Sequence, residues 1–372
     1  MNKVGLYLHF PFCRSKCGYC DFYSLPALCR ISAYESAICR AFSPFREKLS
    51  SYAVDTVYFG GGTPSLMSLE GVGEIFSALR ENFFLSPGCE ITMEMNPDSA
   101  SDDILRAARK EGVNRLSFGM QSAVDRELSA IGRIHRAEDV ILAVKRAKQI
   151  GFENISLDLM YGLPGQNRES FRASLETAIS LGIQHLSFYC LTLSSTVPLW
   201  KKRELLPGED QMREMYLDAC SFLKREGLEQ YEISNAAFPG FASRHNLCYW
   251  EGGEYLGFGP GAHSYFQGKR FFVGEDLDAF LSDPTGGVEV EETLSPREQL
   301  EENMMLSLRL AKGLDLQKLS SFCNEETIRR VEEKFSLWIR HGLAEKTRLG
   351  FRLTPEGFFV SNEIIATILS IL

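Results

Sequence analysis

Apolar and β-branched residues run together over 4–10, 54–59, 90–95, 113–118, 155–160 and 185–189. Between these runs, apolar positions recur at three- and four-residue spacing over 69–82, 102–111, 137–150 and 169–181. A near-continuous apolar run reads as a strand covered on both faces, and the spaced pattern as a one-sided helix. The alternation predicts an α/β fold with a parallel sheet. A further helix is predicted over 209–226 and a last strand near 230–233. Six strand–helix units are too few for a closed eight-stranded barrel. Residues 1–234 are therefore expected to form an open, partial (β/α)6 TIM-like barrel.

From about residue 235 to 294 the pattern breaks into glycine- and aromatic-rich text, FPGFASRHNLCYWEGGEYLGFGPGAHSYF. Loops and short strands packed on the barrel are predicted there, not another strand–helix unit. Residues 295–372 regain helical spacing over 298–311, 315–322 and 326–341, then end in a short hairpin and a final helix. That order predicts a small winged-helix-like α+β domain. Such domains often meet DNA, but the chain carries a formal net charge of -9 and no long basic run. No nucleic-acid partner is expected, and a lid or protein-contact role fits better.

The composition, 44% hydrophobic and 24% charged over 372 residues, suits a globular chain with a full core. No stretch approaches the roughly 20 apolar residues that cross a bilayer, and the N-terminus carries no secretory pattern. With ten cysteines and no export signal, a reducing, cytoplasmic setting is expected.

Three of those cysteines form C-x-x-x-C-x-x-C (Cys13, Cys17, Cys20) directly after the first predicted strand. Closely spaced thiolates on a loop suit an iron–sulfur cubane, and three ligands leave one iron open to a chelating substrate. A structural zinc site would want a fourth ligand, and Phe22 follows Asp21 where one might stand. Gly60-Gly61-Gly62-Thr63-Pro64 ends the second strand, where glycines admit close approach of a ligand or simply make a tight turn. Glu94 ends the third strand, Gln121 the fourth, and Asp158 lies near the end of the fifth. Polar groups at successive strand ends converge on a barrel mouth.

The cysteine loop with Tyr19 before its last cysteine resembles the radical S-adenosylmethionine superfamily. YLHFPFC, GGGTPS, GMQS and DLMYGLPGQ together resemble its oxygen-independent coproporphyrinogen III oxidase-like subfamily, over nearly the whole chain. The resemblance implies a radical S-adenosylmethionine barrel with a [4Fe–4S] cluster on Cys13, Cys17 and Cys20. It implies S-adenosylmethionine contacts at Tyr7, Gly61, Gly62, Thr63, Glu94, Gln121, Arg133 and Asp158. Tyr19 matches a position that meets a second S-adenosylmethionine in the oxidase.

Within the subfamily the chain is similar to the haem-chaperone branch and less so to the oxidases. Phe22 stands where the oxidases carry a fourth cysteine, the first strand begins by residue 4 with no room for their N-terminal extension, and His245-Asn246-Leu247-Cys248-Tyr249-Trp250 matches HNxxYW. Histidine and cysteine both ligate haem iron, and tyrosine or tryptophan can lie on a porphyrin face. The resemblance implies haem binding at His245, with the ligating atom left open. The same residues, taken alone, could hydrogen-bond a loop over core aromatics. His263, in GPGAHSY, is a second candidate ligand or an interior hydrogen-bonded histidine, and His9 and His135 read as structural. The implied partners are haem and acceptor haemoproteins, respiratory ones among them, with an electron donor for the cluster. Membrane contact would be peripheral at most, and the chain a monomer or dimer.

Overall fold

The computed structural model describes residues 1–371. Its first half alternates β1 (Asn2–Phe10), α1 (Ile31–Ala41), β2 (Tyr52–Gly61), α2 (Leu69–Asn82), β3 (Leu85–Met95), α3 (Asp102–Glu111) and β4 (Arg115–Gln121). It continues with α4 (Asp125–Ala130), α5 (Ala137–Ile150), β5 (Ile155–Tyr161), α6 (Arg168–Ser180), β6 (His185–Cys190) and α7 (Glu209–Arg225). Strands β1 to β6 pair in order and in parallel. The expected six-unit open barrel is thus present. Helix boundaries follow local chemistry: Ser68 and Ser101 accept the free N–H groups that open α2 and α3, and Gly112 and Gly151 close α3 and α5 in the left-handed conformation.

Two short helices, α1 and α4, were not expected. Each fills what the apolar pattern left as connection, because so few turns carry little periodic signal.

Residues 235–294 do more than pack on the barrel. After β7 (Glu229–Glu232) come β8 (Asn235–Ala237), α8 (Arg244–Trp250), β9 (Tyr255–Phe258), β10 (His263–Phe266), β11 (Lys269–Val273), α9 (Leu277–Ser282) and β12 (Val288–Thr293). Strand β8 pairs antiparallel with β6, while β9 pairs parallel with β1. The segment therefore hydrogen-bonds into both edges of the six-stranded core, extending it to twelve strands.

Between those edges, α8 docks at the N-terminal ends of the strands. The Glu90 carboxylate accepts the N–H groups of Arg244 and His245, at 3.2 and 3.1 Å. Arg244 also pairs with Asp55 at 2.6 Å. Negative charge at a helix N-terminus stabilises both groups. The HNLCYW motif is therefore helical, which corrects the expectation of loops and short strands there.

The chain ends in α10 (Pro296–Ser307), β13 (Leu314–Asp315), α11 (Leu316–Ser320), α12 (Glu325–Arg340), β14 (Ala344–Lys346), β15 (Gly350–Leu353), α13 (Pro355–Phe359) and α14 (Ser361–Leu369). Strands β13, β15 and β14 make a separate three-stranded sheet behind the helices, the winged arrangement expected. No helix among the described residues is long and apolar enough to cross a membrane.

The barrel's outward positions are apolar: Leu6, Leu8, Val57, Phe59, Leu116, Phe118, Leu157 and Leu159 are buried under the helices. Its inward positions are polar, and this creates the site. Thr56, Glu90, Ser117, Ser156, His185 and Ser187 are all buried, and such groups persist inside a fold only when bonded or awaiting a ligand.

Candidate cofactor site

The cysteine loop leaves β1 and folds back on itself. Leu25 N–H donates to Pro11 O at 2.8 Å and Cys13 N–H to Leu25 O at 3.1 Å. Gly18 N–H donates to Ile131 O, and Leu199 N–H to Gly18 O, so the loop is pinned to two neighbouring segments. The three cysteines are partly buried and line one cavity of about 340 Å³. Burial pushes the Cys17 and Cys20 thiols up, with Arg133 opposing at Cys17. Among the described residues no three His, Cys, Asp or Glu side chains converge on a single metal ion. That donor set suits a broad cubane better than a compact zinc centre.

The glycine run is shaped first by the cysteine loop. Gly61 has φ +102°, and a Cβ there would lie 2.6 Å from the His9 ring. At Gly62 a Cβ would meet Phe12 O at 2.5 Å and Phe10 O at 2.7 Å. These contacts bring the N–H groups of Gly62 and Thr63 onto the carbonyls of Phe10 and Phe12, at 2.7 and 2.8 Å. Close backbone approach is required here by packing as well as by any ligand.

Around the same cavity stand Glu94, Gln121, Arg133, Asp158, Tyr19 and both glycines. Glu94 accepts from Tyr58 OH at 2.7 Å and from Gly61 N–H at 3.2 Å. Burial nevertheless pushes its carboxyl up to about 7, despite the Tyr58 bond, and the Asp158 charge adds to the rise. Asp158 is likewise raised by burial, while Ser187, Arg115 and Ser117 oppose the shift. Two buried carboxyls short of positive charge make a socket for a cationic ligand, as an ammonium or sulfonium would be. Gln121 adopts φ +63° at the end of β4, where the ladder shifts register. A non-glycine residue in that conformation is a recurrent mark of a functional site. Arg133 donates to Asn96 Oδ1 at 3.0 Å, and its Nε has no protein partner. An orphaned, buried guanidinium nitrogen has room for a ligand oxygen.

Three expected residues lie elsewhere. Thr63 sits behind the cavity, donating to Cys13 Sγ at 3.4 Å and accepting from Asn96 at 3.1 Å. Tyr7 lines a neighbouring cavity and bonds His9 Nδ1 at 3.1 Å. His245 is 1% exposed. Its Nδ1 bonds Thr56 Oγ1 at 2.8 Å and its Nε2 bonds Tyr249 OH at 2.7 Å. With both nitrogens engaged inside the lumen, His245 offers no axial ligand in this structure, which corrects the haem-ligand expectation. Its ring holds a tyrosine in place.

Two residues escaped the sequence reading. Asn96, two positions after Glu94, ties Arg133 to Thr63. Arg115 is 2% exposed, its Nε lacks a partner, and its charge acts on Glu94, Asp158, His185 and His245. An arginine inside an apolar strand (NRLSFGM) was the available signal.

Comparison with known proteins bears on these features. Residues 7–178 match the radical SAM superfamily, and residues 294–360 match the HemN C-terminal domain. The chain is 35% identical to the heme chaperone HemW of Lactococcus lactis over 96% of this chain and 95% of that one. It is 35% identical to heme chaperone HemW of Bacillus subtilis over 98% of each. The fold is similar to that of the Escherichia coli coproporphyrinogen III oxidase HemN, a radical SAM enzyme, with a TM-score of 0.86 over 100% of this chain and 91% of that one. At 22% identity this likeness shows the fold alone.

Proposed function

Because the chain belongs to the heme chaperone HemW family within the radical SAM superfamily, we propose that it binds haem and transfers it to haem-dependent proteins. The observation that carries the reading is similarity to haem chaperones along both chains' full length. Phe22, 65% exposed where an oxidase would place a further cysteine, supports it. An oxidase reading has only the shared fold in its favour.

When bound, a [4Fe–4S] cluster with S-adenosylmethionine at its open iron supplies one-electron reducing chemistry. The chain's own residues set up that site. Cys13, Cys17 and Cys20 would hold three irons. Glu94 and Asp158 would meet the ligand's positive groups and hydroxyls, Gly61 and Gly62 would let it approach the backbone, and Arg133 would present its spare N–H beside Tyr19. Gln121, held in a strained conformation, would have its amide fixed toward the cavity. An electron donor for the cluster, acceptor haemoproteins that include respiratory enzymes, and a cytoplasmic setting complete the proposal. The ten free cysteines support a reducing compartment.

The test is anaerobic reconstitution, titration with haem, and incubation of the loaded protein with an apo-haemoprotein. One haem per chain and its transfer to the acceptor are expected. Haem that never binds with a defined stoichiometry would sink the reading.

A further inference from the structure

Beside the cofactor cavity lies a second one of about 350 Å³, and Phe22 lines both. Its walls are unusually aromatic: Tyr7, Tyr23, Tyr249 and Tyr255 join Phe22. Tyr249 packs edge-on against Tyr255, with centroids 4.5 Å apart. His263, on β10, also lines it, and its exposed ring stacks on Phe272 at 5.4 Å.

We infer that this aromatic cavity is the haem seat and that His263 is the iron ligand, a step that rests on the haem-carrier reading above. Three requirements of the cargo are met together. Iron needs an accessible donor such as imidazole, and His263 is exposed to the cavity whereas His245 is not. The porphyrin face needs flat apolar walls, which tyrosine and phenylalanine rings supply. Delivery needs an open seat, and the exposed carboxylates Asp21 and Glu275 border this one. They repel propionates, so the macrocycle enters by its apolar edge and leaves its propionates in water.

The HNLCYW motif then contributes through Tyr249, whose hydroxyl His245 holds at 2.7 Å. His245 is a positioning residue for the cavity wall. Phe22 replaces a cysteine at the point where the two cavities meet, keeping an aromatic surface between cluster and cargo.

Reconstituted protein is loaded with one equivalent of ferrous haem and examined by resonance Raman, comparing wild type, His263→Ala and His245→Gln. Wild type should show an iron–imidazole stretch. His263→Ala should lose it, bind haem at least tenfold more weakly, and recover the band when free imidazole is added. His245→Gln should keep the band. An unchanged band and affinity in His263→Ala, with wild type binding haem normally, overturns this assignment but leaves the carrier reading intact. Loss of the band in His245→Gln alone does the same. Failure of wild type to bind haem removes the carrier reading itself. Near-ultraviolet circular dichroism shows that His263→Ala, altered at an exposed ring, remains folded.

Discussion

Glu94 shows how much one residue's chemistry can be read before its surroundings are known. A carboxylate at a strand end after apolar sequence marks it as a site candidate, and the cysteines, Gln121 and Asp158 were legible for the same reason: each is a polar group where the βα pattern changes. What could not be read was the company it keeps. Arg115 and Asn96 act through pairing across strands, and no spacing rule reports which side chains meet inside a barrel. The raised carboxyl leads to a specific expectation. Glu94 titrates near 7 in the empty protein, and a cationic ligand favours its ionised form. Affinity for S-adenosylmethionine should therefore hold above neutrality and fall as pH drops through about 7. Glu94→Gln removes a charge-assisted contact of roughly 1.5–3 kcal/mol, a weakening of about ten- to a hundredfold. It should also flatten the pH profile between 8 and 6. Calorimetric titration of the reconstituted protein reads both, and a mutant profile as steep as wild type would reject Glu94 as the titrating group.

At the scale of elements, the long parallel strands and amphipathic helices were readable because burial on both faces, or on one stripe, writes a period into the chain. Helix α8 and strands β8 and β9 were not. Each spans seven residues or fewer, and each exists because an edge or a carboxylate waits for it. The turn after β2 shows the same dependence, since its glycines answer to the neighbouring loop. Gly62→Ala drives a methyl into two carbonyls that already accept hydrogen bonds. Overpacking of this kind costs roughly 1–3 kcal/mol, and the backbone that must yield carries the cysteines. Lower stability and reduced iron per chain are both expected. Gly73, on α2 with nothing near its missing Cβ, is the control. Gly73→Ala should leave iron content unchanged and raise stability by up to about 1 kcal/mol, because alanine orders a helix more readily. Full iron loading in Gly62→Ala, measured by iron and sulfide assay, would show that the turn and the cluster loop are not coupled.

For the molecule as a whole, a six-stranded barrel leaves a gap, and the sheet is carried past it by a segment that pairs at both edges while α8 plugs the floor. The plug places a histidine in a polar lumen dominated by Arg115. Burial, reinforced by that charge, lowers His245 to about 3. The unfolded chain takes up a proton near pH 6.5, whereas the folded form refuses it until far lower pH. Stability from neutral His245 is therefore complete above 6.5 and is lost as pH falls toward 3. Its two bonds, to Thr56 and Tyr249, join the plug to β2 and to the aromatic cavity. Replacing it by the non-titrating His245→Gln should cost roughly 1–3 kcal/mol at pH 8, the price of imperfectly satisfied buried partners. That gap should narrow steadily at pH 6 and pH 5, because only wild type bears the proton linkage. Anaerobic urea unfolding at the three pH values measures it. A gap independent of pH would mean that the folded protein protonates His245 as readily as the unfolded one. The lumen floor would then be wet, and the plug would not be what closes the barrel.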